Sequence, residues 1–202
     1  MIRELLENAV DASPFAQFGR WFEEAKQRHP DLQDAMTLST CGEDGVVTSR
    51  VVLLKGFDER GFVFFTNYNS RKSSQVRENP RVSLNFYWPA LERQVRIEGV
   101  AVKTAEEESN AYFATRPRGS QLGAWASAQS SVIPGRGDLD QRFAELERCY
   151  GDGQIPRPPH WGGYRVIPVL IEFWQGRPDR LHDRIRYRLR EPKDWIIERL
   201  SP

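Results

Sequence analysis

The sequence predicts a mainly β (α+β) protein, in which an antiparallel barrel carries helices at its periphery. Eight segments have the composition or the alternation of strands, and glycine-rich turns separate several of them. The helical segments do not alternate regularly with these strands, which argues against a doubly wound parallel sheet. With 202 residues, the chain suits a single domain over residues 1–202, which would bury about 70% of its unfolded surface.

The first predicted element is a helix from Pro14 to about His29–Pro30. Ser13 suits the N-cap position, and proline suits the first helical position. Apolar side chains follow at the spacing of one helix face: Phe15, Phe18, Phe22 and Ala25. We therefore expect residues 1–30 to form a helical segment that packs on the barrel.

Alternation of apolar and polar residues defines most of the strands. In residues 81–88 the even positions are apolar and the odd positions mostly polar, as in a half-buried strand. Turns at Gly42–Gly45 and Gly56–Gly61 separate the first three strands. The predicted strands are Ala35–Thr40, Val46–Lys55, Gly61–Asn67, Arg81–Trp88, Leu91–Val102, Gly163–Trp174, Arg180–Arg188 and Trp195–Arg199.

Three further helices are predicted. Ser70 can cap a short helix that extends to about Glu78. Thr104 and Glu107 form a capping box for a helix that ends near Thr115. The third helix is amphipathic, with apolar side chains at helical spacing: Leu139, Phe143, Leu146 and Tyr150.

Charge and cysteine content narrow the class of protein. A net charge of +1 gives no global field for nucleic acid or an anionic membrane, so we expect neither as a partner. Arginine supplies 24 of the 29 basic residues, and it is the better bidentate partner for phosphate and carboxylate. Cys41, Cys149 and the three histidines lack disulfide or metal-site spacing. With no signal peptide and no apolar run near ~20 residues, a cytoplasmic protein without bound metal is expected.

Familiar nucleotide-binding and hydrolase motifs are missing from the sequence. Gly135–Gly137 and Gly151–Gly153 both lack the third glycine of a dinucleotide fingerprint, and there is no Walker loop or nucleophile elbow. A nucleotide-like cofactor would therefore need side chains to hold its phosphate.

A cationic row near the end of the chain is the strongest local signal. At the strand period of two, one face would carry Arg180, His182, Arg184, Arg186 and Arg188. Like charges in register repel unless water, carboxylates or an anionic ligand offsets them. A solvated strand face is one interpretation. Trp174 and Gln175 stand just upstream, and an aromatic surface beside cations also suits a flat anionic ligand.

Two further pairs of cations could hold an anion. Arg50 and Lys55 bracket an apolar run, and strand parity places them on opposite faces, so they should serve different sites unless a bulge intervenes. Arg71 and Lys72 open a predicted helix, where the helix dipole disfavours cations and favours an anion. Solvated surface charges are the alternative for both pairs.

Tyr112 and Arg116 are four residues apart and share a helix face if the helix extends that far. Pro117 indicates that the helix stops nearby. Ser120 completes this polar set, although a tyrosine at such spacing is more often part of a core.

From about residue 35 to residue 202 the chain resembles the pyridoxine (pyridoxamine) 5'-phosphate oxidases, flavin enzymes that make pyridoxal 5'-phosphate. The resemblance implies a split β-barrel of the antiparallel Greek-key type. Its motifs occur in family order: Ser49–Lys55, Phe64–Asn67, Ser70–Lys72, Asn79–Ser83, Leu91–Val95, Tyr112–Phe113, Arg116–Arg118, Ser120–Trp125, Gln129–Ser131, Trp161–Gly163, Glu172–Gly176, Arg180–Arg184 and Glu198–Pro202.

The resemblance implies that the chain binds FMN. Basic and polar side chains would hold the phosphate, while Gln94, Trp174 and Arg184 would surround the isoalloxazine ring. The cofactor residues implied are Arg50, Val51, Val52, Leu53, Leu54, Lys55, Phe65, Thr66, Arg71, Lys72, Gln94, Gln129, Ser130, Trp174 and Arg184.

The resemblance also implies the reaction: pyridoxamine or pyridoxine 5'-phosphate gives a hydride to the flavin, and O2 is reduced to H2O2. The substrate phosphate would be bound by Lys55, Tyr112, Arg116 and Ser120. Arg180 and His182 would lie over the pyridine ring and are the candidate catalytic residues. Leu181 belongs to the same substrate contact but faces away by parity, so we expect it to act through its backbone or through packing.

A homodimer is expected, because in this family two subunits together enclose each flavin. Trp88, Trp125 and Trp161 are candidates for the interface or for the core. Alternative functions are a related flavin oxidase with another aromatic substrate, as in phenazine biosynthesis, or a non-catalytic flavin or B6-phosphate binder. A nucleic-acid binder fits the net charge poorly.

The N-terminal segment departs from the family pattern. The family usually carries a segment with arginine and tyrosine ahead of the first helix, which closes over the substrate. Here Met1–Ala12 contains Arg3 as its sole basic residue and no tyrosine. We therefore expect a reduced lid or a different mode of closure.

Overall fold

The computed structural model describes residues 4–28, 31–192 and 194–202. Over these residues nine strands form one antiparallel sheet in the order β2–β1–β5–β6–β7–β4–β3, and β8 and β9 extend it from the far half of β7. The strands are β1 (Ala35–Cys41), β2 (Val47–Leu53), β3 (Gly56–Asp58), β4 (Gly61–Asn67), β5 (Arg81–Trp88), β6 (Arg93–Lys103), β7 (Trp161–Gln175), β8 (Asp183–Glu191) and β9 (Asp194–Arg199). The predicted antiparallel, mainly β architecture is confirmed.

The same part of the chain contains five α-helices: α1 (Pro14–Arg28), α2 (Arg71–Glu78), α3 (Glu106–Thr115), α4 (Arg118–Ala126) and α5 (Arg136–Tyr150). Helix α1 packs on the sheet through its apolar face. Phe18, fully buried, meets Phe62 edge-on with ring centroids 4.9 Å apart, and Trp21 meets Phe173 at 5.2 Å. The predicted end of this helix at His29–Pro30 lies outside the described residues.

The main core fills the concave side of the sheet. In β5 the even positions are buried and the odd positions are not, as the alternation predicted. A second, smaller core lies under α3, α4 and α5, where Phe113, Leu122 and Ile155 surround Trp161. Trp88 and Trp161 are therefore core residues, whereas Trp125 is half-buried and donates to the carbonyl of Pro156 at 2.8 Å.

Helix α4 was not predicted. It has nine residues and includes Gly119 and Gly123, and isolated helices of this length and composition are unstable in water. Its Leu122 is buried in the second core, and Ala124 and Trp125 pack against that core. Tertiary packing therefore decides this helix.

Two predicted caps are wrong. Ser70 occupies the N-cap of α2, but its hydroxyl donates to the carbonyl of Asn67 at 2.7 Å and makes no cap bond. Ala105, not Thr104, is the N-cap of α3, and the Thr104 hydroxyl lies 2.9 Å from that of Ser109. The residue types predicted where α2 and α3 begin to within one residue. The hydroxyls of Ser70 and Thr104 nevertheless form hydrogen bonds with neighbouring polar groups instead of capping the helices.

Part of the predicted 56–61 turn is a strand. Residues of β3 pair with β4, with Phe57 opposite Phe62 and Asp58 opposite Gly61. Just before it, the N–H of Lys55 donates to the carbonyl of Val63 at 2.8 Å. The end of β2 therefore reaches β4, and the two sides of the curved sheet meet there.

The segment before α1 is tied to the last strands. The hydroxyl of Tyr187 donates to the carbonyl of Asp11 at 2.6 Å, and the Arg199 guanidinium donates to the carbonyl of Leu5 at 2.7 Å. Arg3 lies outside the described residues. Among the described helices, none is long and apolar enough to cross a membrane.

Candidate active site

A cavity of about 940 Å³ opens where β2 approaches β4. Its walls come from β2 and β4, the first turn of α2, and helices α3 and α4. The lining includes the predicted residues Arg50, Val51, Val52, Leu53, Lys55, Phe65, Thr66, Lys72, Tyr112, Arg116, Ser120 and Gln129. Residues distant in sequence, many of them predicted as cofactor or substrate ligands, thus share one concave surface.

Arg50 and Lys72 form a half-buried cationic pair in this cavity. The Lys72 ammonium donates to Gln129 Oε1 at 2.7 Å and to Thr66 Oγ1 at 3.2 Å. Burial, and secondarily the charge of Arg50, lowers the pKa of Lys72 to about 8. Burial also lowers the pKa of Arg50. Since none of the described lining residues is acidic, this end of the cavity suits an anion.

An aromatic wall carries a second cation. The rings of Phe65 and Tyr112 stack with centroids 4.1 Å apart, and Phe65 also stacks on Trp161 at 5.4 Å. The Arg116 guanidinium lies 4.6 Å from the centroid of the Trp161 ring. Its Nη1 is buried and has no hydrogen-bond partner within the described part of the chain, and burial lowers its pKa. An unpaired buried guanidinium nitrogen is a position for a ligand acceptor.

Lys55 lies at the edge of the same cavity. Its ammonium pairs with Asp34 at 2.8 Å. Arg50 and Lys55 both line this cavity, although strand parity placed them on opposite faces. Strand β2 ends at Leu53, so the alternation that separates the two cations does not extend to Lys55.

Six predicted cofactor residues do not line the cavity, and three of these are neighbours of lining residues in the sequence: Leu54, Arg71 and Ser130. Leu54 is buried in the main core. Arg71 and Ser130 lie next to lining residues in sequence, and the Arg71 N–H donates to Ser130 Oγ at 3.2 Å. The side chain of Lys72, rather than that of Arg71, faces the cavity.

The three predicted flavin-ring residues form a second group elsewhere on the sheet. Gln94 of β6 pairs with Trp174 of β7, which pairs with Arg184 of β8, so the three lie in one row across adjacent strands. None of them lines the cavity. Trp161, at the cavity, and Trp174 lie near opposite ends of β7, roughly 40 Å apart along an extended strand.

Arg180, Leu181 and His182 belong to this second group but not to a strand. Strand β8 begins at Asp183, and a 3-10 turn covers Pro178–Arg180. The prediction of a strand that begins at residue 180 is therefore wrong for residues 180–182. Arg180 has φ 60°, which breaks strand alternation. Leu181 is 70% exposed, so the packing expected for it is not found within the described part of this chain.

His182 has a defined ring orientation. Its Nδ1 accepts a hydrogen bond from the N–H of Arg177 at 3.1 Å. Its ring centroid lies 4.6 Å from that of Trp174. Because Nδ1 is the acceptor, the neutral ring carries its proton on Nε2.

Carboxylates offset the remaining cationic row. Arg184 donates to Glu172 at 2.7 Å, and Arg186 and Arg188 pair with Glu198 at 2.6 and 3.1 Å. The partners stand on β7 and β9, next to β8 in the sheet. Water, carboxylates or an anionic ligand could offset these like charges, and the described chain itself supplies carboxylates.

Several lining residues were missed: Asn67, Thr115, Pro117, Gly123, Ala124, Ser127 and Trp161. Two of them, Gly123 and Ala124, lie on the unpredicted helix α4. Trp161 had a signal, because it opens one of the family-like motifs, but it was assigned only to an interface or core.

Comparison with known proteins agrees with this geometry. A family model described as pyridoxamine 5'-phosphate oxidase matches residues 22–149, and one described as the pyridoxine 5'-phosphate oxidase C-terminal dimerisation region matches residues 161–202. Pyridoxine/pyridoxamine 5'-phosphate oxidase from Rubrobacter xylanophilus is 60% identical over 198 residues, covering 98% of this chain and 91% of that protein. The enzyme from Cupriavidus necator is 55% identical over 202 residues, covering 100% and 95%.

Solved structures share the fold. The chain superposes on PhzG from Burkholderia lata, crystallised with tetrahydrophenazine-1-carboxylic acid, with a TM-score of 0.92 and 32% identity, covering 100% of this chain and 99% of that one. An FMN-binding protein from Nostoc punctiforme matches with a TM-score of 0.74 and 18% identity, covering 94% and 98%, which bears on the fold alone. The expected split barrel is confirmed. The chain belongs to the pyridoxine/pyridoxamine 5'-phosphate oxidase family.

Proposed function

We propose that this chain is an FMN-dependent oxidase that converts pyridoxamine 5'-phosphate and pyridoxine 5'-phosphate to pyridoxal 5'-phosphate. One observation carries the proposal: a single cavity contains two cationic positions, Arg50 with Lys72 at one end and Arg116 on the aromatic wall. Two phosphorylated ligands, a cofactor and a substrate, need two such positions. The curated relatives bear this activity in their names.

The cofactor phosphate fits the half-buried pair Arg50 and Lys72. Both lack an acidic partner in the cavity lining, and an anion would offset the burial that lowers their pKa values. Thr66 and Gln129 already orient the Lys72 ammonium toward this end. FMN, when bound, supplies the hydride acceptor and passes the electrons on to O2.

The substrate phosphate fits Arg116, with Tyr112, Ser120 and Lys55 around it. The unpaired Nη1 of Arg116 can donate to a phosphate oxygen, and its stacking on Trp161 fixes the plane of the guanidinium. Lys55 would exchange its carboxylate partner Asp34 for the phosphate.

A homodimer completes the site. The group with Gln94, Trp174, Arg180, His182 and Arg184 lies far from the cavity of its own chain. A second copy can bring this group to the cavity, and the C-terminal dimerisation model covers β7, β8 and β9. Exposed apolar side chains on β2, such as Val47 and Val51, offer part of the contact surface.

The phenazine-type oxidase is the second candidate, favoured by the likeness to PhzG. Identity to that protein is 32%, against 60% to the Rubrobacter enzyme. The clustering of Lys55, Tyr112, Arg116 and Ser120 also favours a phosphorylated substrate. We further propose that the chain acts as one domain over residues 1–202 and in the cytoplasm.

Visible spectroscopy tests the function. Purified protein should carry a yellow flavin that bleaches when pyridoxine 5'-phosphate is added under nitrogen and recovers in air with release of H2O2. A phenazine-type oxidase would not bleach with this substrate. Protein that takes up FMN but is never reduced would be a flavin binder, and colourless protein that takes up no FMN would refute both.

Replacing Arg180 or His182 by alanine should lower kcat/KM while FMN stays bound, because neither lies in the cavity that we assign to the phosphate. Loss of contacts made only in the transition state should lower kcat, whereas loss of uniform binding should raise only KM. We expect about a hundredfold loss in kcat for Arg180→Ala, since small misplacements of the substrate cost that much. Steady-state kinetics with flavin absorbance as the occupancy control decide this. Normal turnover by both variants would leave these residues without a role in the reaction.

A further inference from the structure

A network of buried and half-buried polar side chains holds the Arg50 guanidinium. The Arg50 guanidinium donates to the hydroxyl of Thr40 at 2.6 Å, to the hydroxyl of Thr48, and to the carbonyl of Leu38 at 3.2 Å. Both threonine hydroxyls in turn donate to Gln75 Oε1, each at 2.6 Å. Gln75 belongs to α2 and is 5% exposed.

The hydrogen bonds of this network can run in one direction only. Arginine is a donor only, so each threonine hydroxyl must accept from Arg50 and has its single hydrogen left for Gln75. The amide oxygen uses both lone pairs on the two hydroxyls. The amide nitrogen of Gln75 donates to the carbonyl of Val46 at 2.9 Å, which fixes the amide orientation. Flipping the amide would place its oxygen against the carbonyl oxygen of Val46, where neither atom can donate.

We propose that Gln75 is a positioning residue for the cofactor phosphate. It acts through Thr40 and Thr48 to hold the Arg50 guanidinium at the cavity. Helix α2 then serves the phosphate twice: Lys72 in its first turn reaches the cavity directly, and Gln75 one turn later fixes the second cation. The inference rests on the proposed function, because it takes Arg50 as a phosphate ligand.

The test compares FMN with riboflavin, which lacks the phosphate. Gln75→Met keeps the length of the side chain and removes the acceptor. We expect the Kd for FMN, measured by quenching of flavin fluorescence, to rise about tenfold and the Kd for riboflavin to stay within twofold. A merely structural role would weaken both flavins equally, and that result, or no change in either, would overturn the inference.

Three controls sharpen the test. Gln17→Met removes another buried glutamine, which accepts from Arg20 at 2.6 Å on α1, and should leave the FMN-to-riboflavin ratio unchanged. In an Arg50→Met background, Gln75→Met should have no further effect on FMN, since it acts through Arg50. If Gln75→Met fails to fold, Thr48→Val on the half-buried strand β2 should give the same selective loss. Wild-type protein that binds riboflavin as tightly as FMN would overturn this inference and the phosphate site at Arg50 and Lys72, but not the oxidase activity. Failure to bind either flavin would overturn the proposed function as well.

Discussion

Lys72→Met is expected to weaken FMN binding about 10- to 100-fold. The variant keeps the length and packing of the side chain and removes a charge-assisted hydrogen bond, which contributes about 1.5–3 kcal/mol. Burial lowers the pKa of Lys72 to about 8, and none of the described lining residues is an acid that could offset this effect. Titration of FMN fluorescence measures the effect directly.

The same lysine should make FMN binding depend on pH. Below pH 8 Lys72 is charged before FMN arrives, so affinity is at its maximum. As the pH rises above 8, the free protein loses this charge while the FMN phosphate remains a dianion, since its second pKa is about 6. Binding must then recover a proton, and the Kd should rise with pH by up to about tenfold per unit until the pKa of Lys72 in the complex is reached.

Lys26→Met is the matched control, because that ammonium is exposed on α1 and pairs only loosely with Glu23, at 3.9 Å. It should bind FMN like the wild type and with the same pH profile. The Lys72→Met profile should be flat between pH 7 and 10. A variant at position 72 that keeps both the affinity and the pH dependence would place the phosphate elsewhere.

Arg116→Ala should raise KM for pyridoxine 5'-phosphate about 10- to 100-fold, with kcat little changed. The substitution removes the unpaired buried Nη1 and its stacking on Trp161, and a hydrogen bond to a charged group contributes about 1.5–3 kcal/mol. The phosphate is remote from the reacting carbon, so its binding is nearly the same in the ground and transition states.

Arg116→Lys should recover only part of the loss, because an ammonium lacks the planar fork of the guanidinium. Arg148→Ala, an exposed arginine of α5, serves as the control and should leave KM unchanged. FMN affinity should be normal in all three variants. A loss of FMN instead of substrate in Arg116→Ala would show that Arg116 binds the cofactor.

The sequence by itself determined the elements whose pattern is local. Strand β5 was predicted over its observed residues, because every second side chain meets the core. Helix α1 was predicted to begin at Pro14, where it does, because capping and helical periodicity act over a few residues. The family resemblance implied most of the residues that line the cavity, because its motifs include the basic and polar side chains that bind phosphate.

Tertiary structure decided what depends on distant neighbours. Helix α4 exists because Leu122, Ala124 and Trp125 pack in the second core, which helix propensity does not reveal. Lys55 joins Arg50 in one cavity because β2 stops at Leu53 and turns toward β4. Arg180 leaves the predicted strand because a turn precedes β8.

The division of the candidate site into two groups was also decided by the fold. Gln94, Trp174 and Arg184 follow one another across β6, β7 and β8, while Lys72 and Arg116 lie at the cavity. Sequence motifs record which residues a ligand needs, since each residue type carries its own chemistry. They do not record distance, which is set by strand order and by the length of β7.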